Sequence, residues 1–290
     1  MTAERRAAPE AGRLTLFARP TPVRHLPDLG VWVKDDSAIG GNKVRKLEYT
    51  LADALLRGRR TVLTFGAIGS HHAAATAEAC AISGLRCVAA LVDQPPDAHV
   101  EAVLARTRAA GAVVVRTRTT PRTVAAVPWL YLRHGRPYVL PVGGSSPLGV
   151  RGMVDAAHEL AAQIRAGELP EPRTVVVAVG SGGSAAGLAA GLAQAGLAPR
   201  LIGVLVNDRT RVNVARMARR ADRRALPVEV RREFLGEGYG HPTPEGRAAL
   251  AAARAAGLEL EPVYTAKALA AVHALRPDGP VVFWNTYGPS

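Results

Sequence analysis

Runs of β-branched apolar residues alternate along this chain with alanine- and leucine-rich stretches of helical spacing. Val175-Val-Val-Ala-Val179 is the strongest of the apolar runs, and Thr61–Phe65 is a second. That alternation predicts an α/β fold of open domains with mainly parallel sheets, because parallel neighbours must be reached by helical crossovers. Strands are expected at Val31–Val33, Thr61–Phe65, Cys87–Val92, Val113–Val115, Val175–Val179, Leu201–Val206 and Val281–Trp284, and Tyr138–Pro141 leads into a turn at Val142–Ser145. Helices are expected over Lys43–Leu56, His71–Ile82, Val100–Ala110, Gly152–Ile164, from the turn after Val179 through Ala195, and over Thr243–Ala256. Gly66–Gly69 reads as a turn.

At 290 residues the chain can bury a large core in one or two domains. Its net charge of +13 invites a nucleic-acid reading, but 33 of the 37 basic residues are arginines scattered without aromatic interleaving. Nucleic acid is therefore not an expected partner. No apolar run approaches the roughly 20 residues that cross a bilayer, so a membrane is not expected either. The mixed, charged start Met1–Arg19 and a mere two cysteines, Cys80 and Cys87, fit a reducing cytoplasm. They supply neither a disulfide framework nor a metal cluster.

Three glycine-rich stretches carry the chemistry. In Val175–Gly187 a strand runs through Gly180-Ser181-Gly182-Gly183-Ser184 into a helix. Backbone N–H groups and the positive helix end suit a phosphate there, with Ser181 and Ser184 as hydroxyl donors. A tight turn with no ligand has the same pattern. Gly180-x-Gly182-x-x-Ala185 also satisfies a dinucleotide fingerprint, with Asp208 where a ribose-binding acid would stand. The fingerprint normally opens a fold's first strand–helix unit, and here several elements precede it.

Gly40-Gly-Asn-Lys-Val-Arg-Lys46 places two of the chain's four lysines one helical turn apart at a helix start. A neighbouring cation and a positive helix end should lower a lysine pKa, as Schiff-base chemistry requires. Two solvated lysines are the plain alternative. Gly66-Ala-Ile-Gly-Ser-His-His72 again runs from strand to helix and suits a carboxylate. Adjacent His71 and His72 diverge by about 100° on a helix, so no metal site is expected.

These stretches, with Val142-Gly-Gly-Ser145, Gly238-Tyr-Gly-His-Pro242 and Pro262-Val-Tyr-Thr-Ala-Lys-Ala268, occur in one order. Together they resemble the D-cysteine desulfhydrase and 1-aminocyclopropane-1-carboxylate (ACC) deaminase family of pyridoxal-phosphate (PLP) enzymes over roughly residues 14–287. The resemblance implies a fold of the tryptophan synthase β type, a large domain of residues 1–50 and 146–290, and a small domain of 51–145. It also implies a homodimer. Lys43 matches the Schiff-base lysine, flanked by Asn42 and Lys46 as cofactor contacts. Gly180, Ser181, Gly182, Gly183 and Ser184 match the phosphate cradle. Ser70, with the amides of His71 and His72, matches the substrate-carboxylate loop. Tyr264 matches a tyrosine stacked on the pyridine ring, and Tyr239 a second hydroxyl lining the substrate pocket.

Departures from the family pattern refine the expectation. Ring-opening members carry a glutamate after the stacking tyrosine, where this chain has Thr265, and a leucine where it has Thr286. A neutral hydroxyl at the ring nitrogen makes a weaker electron sink, sufficient when a good leaving group departs from Cβ. The threonine pair implies β-elimination from a small amino acid such as D-cysteine, giving pyruvate and ammonia. ACC deamination, β-replacement and a non-catalytic PLP-binding protein are the other readings. His71 stands where relatives have an asparagine against the cofactor's 3′-oxygen, and Asn285 and Tyr287 replace residues at the pocket's edge.

Overall fold

A computed structural model describes residues 12–208 and 213–288. In chain order it contains β1 (Val23–Leu26), β2 (Val31–Asp35), α1 (Lys43–Leu56), β3 (Thr61–Ala67), α2 (His71–Ile82), β4 (Arg86–Val92) and α3 (Ala98–Ala109). There follow β5 (Val113–Arg118), α4 (Thr120–Arg133), β6 (Tyr138–Leu140), α5 (Pro147–Arg165), β7 (Thr174–Val179) and α6 (Gly183–Gln194). The last elements are β8 (Arg200–Leu205), α7 (Val214–Ala221), β9 (Val228–Arg231), α8 (Pro244–Ala255), α9 (Thr265–Leu275) and β10 (Val281–Asn285).

The chain divides into two compact units. One comprises the described residues up to Phe17 together with Lys43–Gly144; the other comprises Ala18–Asn42 and the described residues from Ser145 onward. Helix α1, which starts on Lys43, thus belongs to the smaller unit, while Asn42 belongs to the larger.

The larger unit holds a sheet of order β1-β2-β10-β7-β8-β9 among the described residues, parallel except for β1. Its central strands β7 and β10 are buried at every position because alternate residues bury against opposite helix layers. Val175, Val177 and Val179 pack with α5, α6 and α7, as do Val282 and Trp284. Val176 and Ala178, with Val281 and Phe283, pack with α8 and α9. The smaller unit holds the parallel sheet β5-β4-β3-β6. Val62 and Cys87 face a core with α1 and α2, whereas Leu63, Val88 and Ala90 face Leu130 of α4.

Helices α1 and α2 have the expected bounds. Strand β3 continues to Ala67 by pairing with Val92, so the turn expected at Gly66 starts later. Elements α4, α7, α9, β1 and β9 had no expectation. Helix α4 holds Pro128 and turns Val124, Trp129 and Leu132 outward, which inverts the pattern that sequence reading relies on.

Helices α5 and α6 meet over glycines. A Cβ at Gly191 would lie 2.6 Å from the Val154 carbonyl oxygen and 2.7 Å from the Ala157 Cβ. Gly191→Val should cost about 3 kcal/mol by overpacking this contact, read from the urea unfolding midpoint. A loss below about 0.5 kcal/mol would show that the helices separate without penalty.

Candidate active site

In the larger unit β2, β10, β7 and β8 run parallel, so their carboxyl ends lie along one edge. Strand β7 leads into α6 on one face, while α9 precedes its neighbour β10 on the other. Such a divergence opens a crevice at the carboxyl edge of a parallel sheet. The Gly180–Ser184 turn, Asn42 and Tyr264 all lie at this edge.

The turn is built to receive a group. Helices α2, α3, α4, α5, α7 and α8 each have a side chain that caps the first turn. Helix α6 instead begins on Gly182, at φ +84°, with no side-chain cap, so its first-turn N–H groups have no side-chain acceptor from the N-cap. Ser184 in that turn accepts a 2.7 Å hydrogen bond from the Asn42 amide, and both residues are buried. The Ser181 hydroxyl shares a 2.7 Å hydrogen bond with Ser145. Tyr264 lies on the turn: a Cβ at Gly180 would stand 2.8 Å from its Cε1. Upstream of Lys43, Gly41 adopts φ +94° and passes so close to Gly288 and the Thr286 carbonyl that a Cβ would meet them at 2.9 and 3.1 Å.

Tyr264 meets Tyr239 edge-on, with ring centroids 6.1 Å apart. Burial pushes the Tyr264 phenol well above its ordinary pKa, and Tyr239 adds to the shift by charge and hydrogen bonding. Two supports that sequence reasoning did not identify hold these rings. Glu261 is buried, and its carboxylate accepts the backbone N–H groups of Val263 at 2.8 Å, Tyr264 at 2.6 Å and Thr265 at 2.6 Å. Asp208 accepts the Tyr239 N–H at 3.1 Å and packs against Gly238, leaving no room for a Cβ there. Asp208 is therefore a loop anchor, which removes the motive for a ribose-binding role. An acid before Pro262 and an alanine-rich run after Thr265 are the signals by which Glu261 and α9 could have been found.

Thr265 and Thr286 differ in what they can offer. The Thr265 hydroxyl is fully buried, accepts from the Glu261 N–H at 3.0 Å and donates back to Glu261 oxygens at 3.3 Å. Its proton and a lone pair are thus spent inside the start of α9. Thr286, just beyond β10, is half-buried at the carboxyl edge. Asn285 is fully buried, with its amide donating to Asp35 at 2.9 Å and to the Glu259 carbonyl at 3.3 Å. It is a sheet fastener and does not line an edge.

In the smaller unit the charge of Lys43 reaches Lys46, His71 and His72 alike. Lys46 is buried, donates to the Gly143 carbonyl at 3.3 Å, and has its pKa driven well down by burial and then by Lys43. His72 is buried against Thr64, whose hydroxyl lies 3.0 Å from Nε2. Burial, then the charges of Lys43 and Lys46, lower its pKa to about 3. Ser70 caps α2 by accepting the Ala73 N–H at 3.3 Å and lies on Gly66, where a Cβ would meet its Oγ at 2.6 Å. The remaining first-turn N–H groups of α2 point out of the helix end, as an anion site requires.

The pyridoxal-phosphate dependent enzyme family matches residues 14–286. This chain belongs to that family. It is 35% identical to a D-cysteine desulfhydrase of Klebsiella pneumoniae over 95% of its length and 94% of the relative's. It is 36% identical to a D-cysteine desulfhydrase of Salmonella paratyphi A over the same shares of the two chains. Among solved structures, an ACC deaminase homologue superposes with a TM-score of 0.82 at 28% identity, covering 96% of this chain and 92% of the other. A threonine deaminase from Solanum lycopersicum, at 18% identity and a TM-score of 0.68, shares the fold, which is of the tryptophan synthase β type. The family's cofactor fits the observed residues: an uncapped glycine turn for phosphate, a flat ring laid on Gly180, and a lysine next to the asparagine that bonds the turn.

Two outcomes test this construction. Gly180→Ala should displace the Tyr264 ring and weaken PLP binding at least tenfold, measured by fluorescence titration, with little change in the urea midpoint of the apoprotein. Unchanged affinity would mean that the ring does not bear on the cofactor. The second outcome follows from pH. His71 and His72 titrate near 3 when folded and near 6.5 when unfolded. The stability of keeping them neutral is whole above pH 6.5 and is lost as pH falls toward 3, since only the unfolded chain takes the protons. The gap in stability between the native and His72→Gln proteins should therefore shrink from pH 7 to pH 4, and a constant gap would contradict a neutral buried His72.

Proposed function

We propose that this chain catalyses PLP-dependent β-elimination from a small amino acid, with D-cysteine the substrate and sulfide, pyruvate and ammonia the products. The carrying observation is the Asn42–Ser184 hydrogen bond, which ties the residue preceding Lys43 to the uncapped turn of α6. The similarity to D-cysteine desulfhydrases supports the substrate.

In this reading Gly180, Ser181, Gly182, Gly183 and Ser184 hold the phosphate, and Asn42, Lys46 and His71 add contacts to the cofactor. Tyr264 lies against its ring. When bound, PLP supplies the electron sink that makes the Cα proton removable. Lys43 would carry the cofactor, and its freed amine would be the base that takes that proton. Ser70 and the amides of His71 and His72 bind the substrate carboxylate. The Tyr264 phenol, kept protonated by burial, and the Tyr239 phenol beside it would donate to the departing sulfur. Thr286 would be the partner for the ring nitrogen, because the Thr265 hydroxyl is committed to Glu261. A neutral hydroxyl there favours elimination of a good leaving group over ring opening. D-cysteine and one water yield one each of hydrogen sulfide, pyruvate and ammonia. A homodimer working in the cytoplasm belongs to the same proposal.

ACC deamination is the second reading, favoured by the likeness to the ACC deaminase homologue. Purified enzyme offered D-cysteine, L-cysteine, β-chloroalanine and ACC should release pyruvate from D-cysteine and β-chloroalanine. It should act on ACC at least 100-fold more slowly, a difference of about 2.7 kcal/mol in transition-state stabilisation. ACC turnover equal to D-cysteine turnover would falsify the assignment. Borohydride reduction should fix PLP on Lys43 in the native protein and on no lysine in Lys43→Ala, read by peptide mass.

A further inference from the structure

His71, which stands where the family pattern has an asparagine, is not a lone side chain. Its Nε2 lies 2.9 Å from Nε2 of His99, and the two rings are tilted by 39° with centroids 4.9 Å apart. His71 is the first residue of α2 and His99 the second of α3, so each ring stands at the positive end of a helix. Both are half-buried. A separation of 2.9 Å between two ring nitrogens needs one proton between them, because two N–H groups repel and two lone pairs repel.

We propose that His71 and His99 form a two-imidazole proton relay, whose inner nitrogen is Nδ1 of His71 and whose outer nitrogen is Nδ1 of His99. The inference rests on the reading of the α2 start as the substrate-carboxylate loop and extends it. A proton arriving at His71 Nδ1 sends the His71 Nε2 proton to His99 Nε2, and the His99 Nδ1 proton leaves to water. One proton enters and one leaves, each ring exchanges tautomers, and neither ring ends the cycle charged. The reverse passage delivers a proton inward. β-Elimination needs such traffic, since the Cα proton must be shed and the leaving group protonated.

The surroundings disfavour a charge on His71. His71 faces Lys43 from α1, and His99 and Arg106 from α3, with Arg106 held to Glu78 of α2 at 2.7 and 2.9 Å. Burial first, then the His99, Lys43 and Arg106 charges, lower the His71 pKa to about 3. A cation on this ring is therefore disfavoured from three directions, whereas a tautomer exchange carries no net charge into the site. Sequence inspection points to His71 through the motif but not to His99, which is 28 residues distant and lies outside every motif.

Three measurements on the holoenzyme decide the matter. In the histidine-labelled native protein at pH 8, long-range proton–nitrogen spectra should show two neutral rings, one protonated at Nε2 and the other at Nδ1. Charged rings, or two Nε2-protonated rings, overturn the proposal. His99→Gln can still hydrogen-bond His71 but cannot pass a proton. It should keep native melting and cofactor absorbance while kcat/KM for D-cysteine falls on the order of 100-fold. In His99→Ala, added imidazole should restore turnover in proportion to its neutral form, which a purely structural histidine would not permit. Turnover by either variant within threefold of native, or a loss that imidazole leaves untouched, overturns the relay. A native enzyme inactive on both D-cysteine and β-chloroalanine would sink the proposed activity instead, and the spectra would still report on the pair.

Discussion

The buried hydrogen bond from Asn42 to Ser184 organises the carboxyl edge of the larger unit's sheet. It joins the end of the segment that follows β2 to the first turn of α6, across 142 residues of sequence. Neighbouring restraints make that junction rigid. Asp36 accepts the Trp284 indole N–H at 2.9 Å, and Asp35 accepts the Asn285 amide at 2.9 Å, so the carboxyl ends of β2 and β10 are fastened together. Gly41 passes Gly288 where no side chain would fit. Lys43, the residue proposed to carry the cofactor, follows Asn42 directly in the chain.

Behind that edge lies a charged interior. Lys34 is fully buried, with its ammonium on the Glu159 carboxylate and the Gln163 amide oxygen at 2.5 Å each and the Thr21 carbonyl at 2.7 Å. A buried charge is tolerable only when paired and fully hydrogen-bonded. Here the pairing ties β2 to α5, the helix that supports α6. The smaller unit works by the opposite device. Lys46 and His72 are buried beside the positive charge of Lys43, so the environment favours neutral nitrogen over cation. Neutral nitrogen is the form that accepts protons and forms bonds to carbon.

Much of the fold was legible. Val175–Val179 announced itself as a short, continuous apolar run, α1 by the helical spacing of Leu47 and Leu51, and α2 as an alanine-rich run between a glycine turn and Gly84. The glycine turns were legible for a different reason, since Gly182 and Gly41 occupy conformations or approaches that other residues resist. Elements whose partners lie far away were not. Helix α9 is buried nearly all round, so it has no amphipathic signature, and α4 shows its apolar residues to solvent. Asp208 misled in an instructive way: its position after β8 fits a ribose ligand, yet its carboxylate is spent on the backbone of the Tyr239 loop.

The sequence by itself determined the α/β architecture, the glycine turns and the lysine pair, because each rests on local chemistry or on a short period along the chain. Only the tertiary structure decided which polar groups are already consumed. Thr265 and Thr286 look alike as letters, but the first is locked to Glu261 and the second stands at the open carboxyl edge. Likewise His71 and His72 are adjacent in sequence, yet helix α2 sends one ring to Thr64 and the other to His99. Hydrogen-bond partners are chosen by proximity in three dimensions, and a residue's chemistry is whatever its partners leave available.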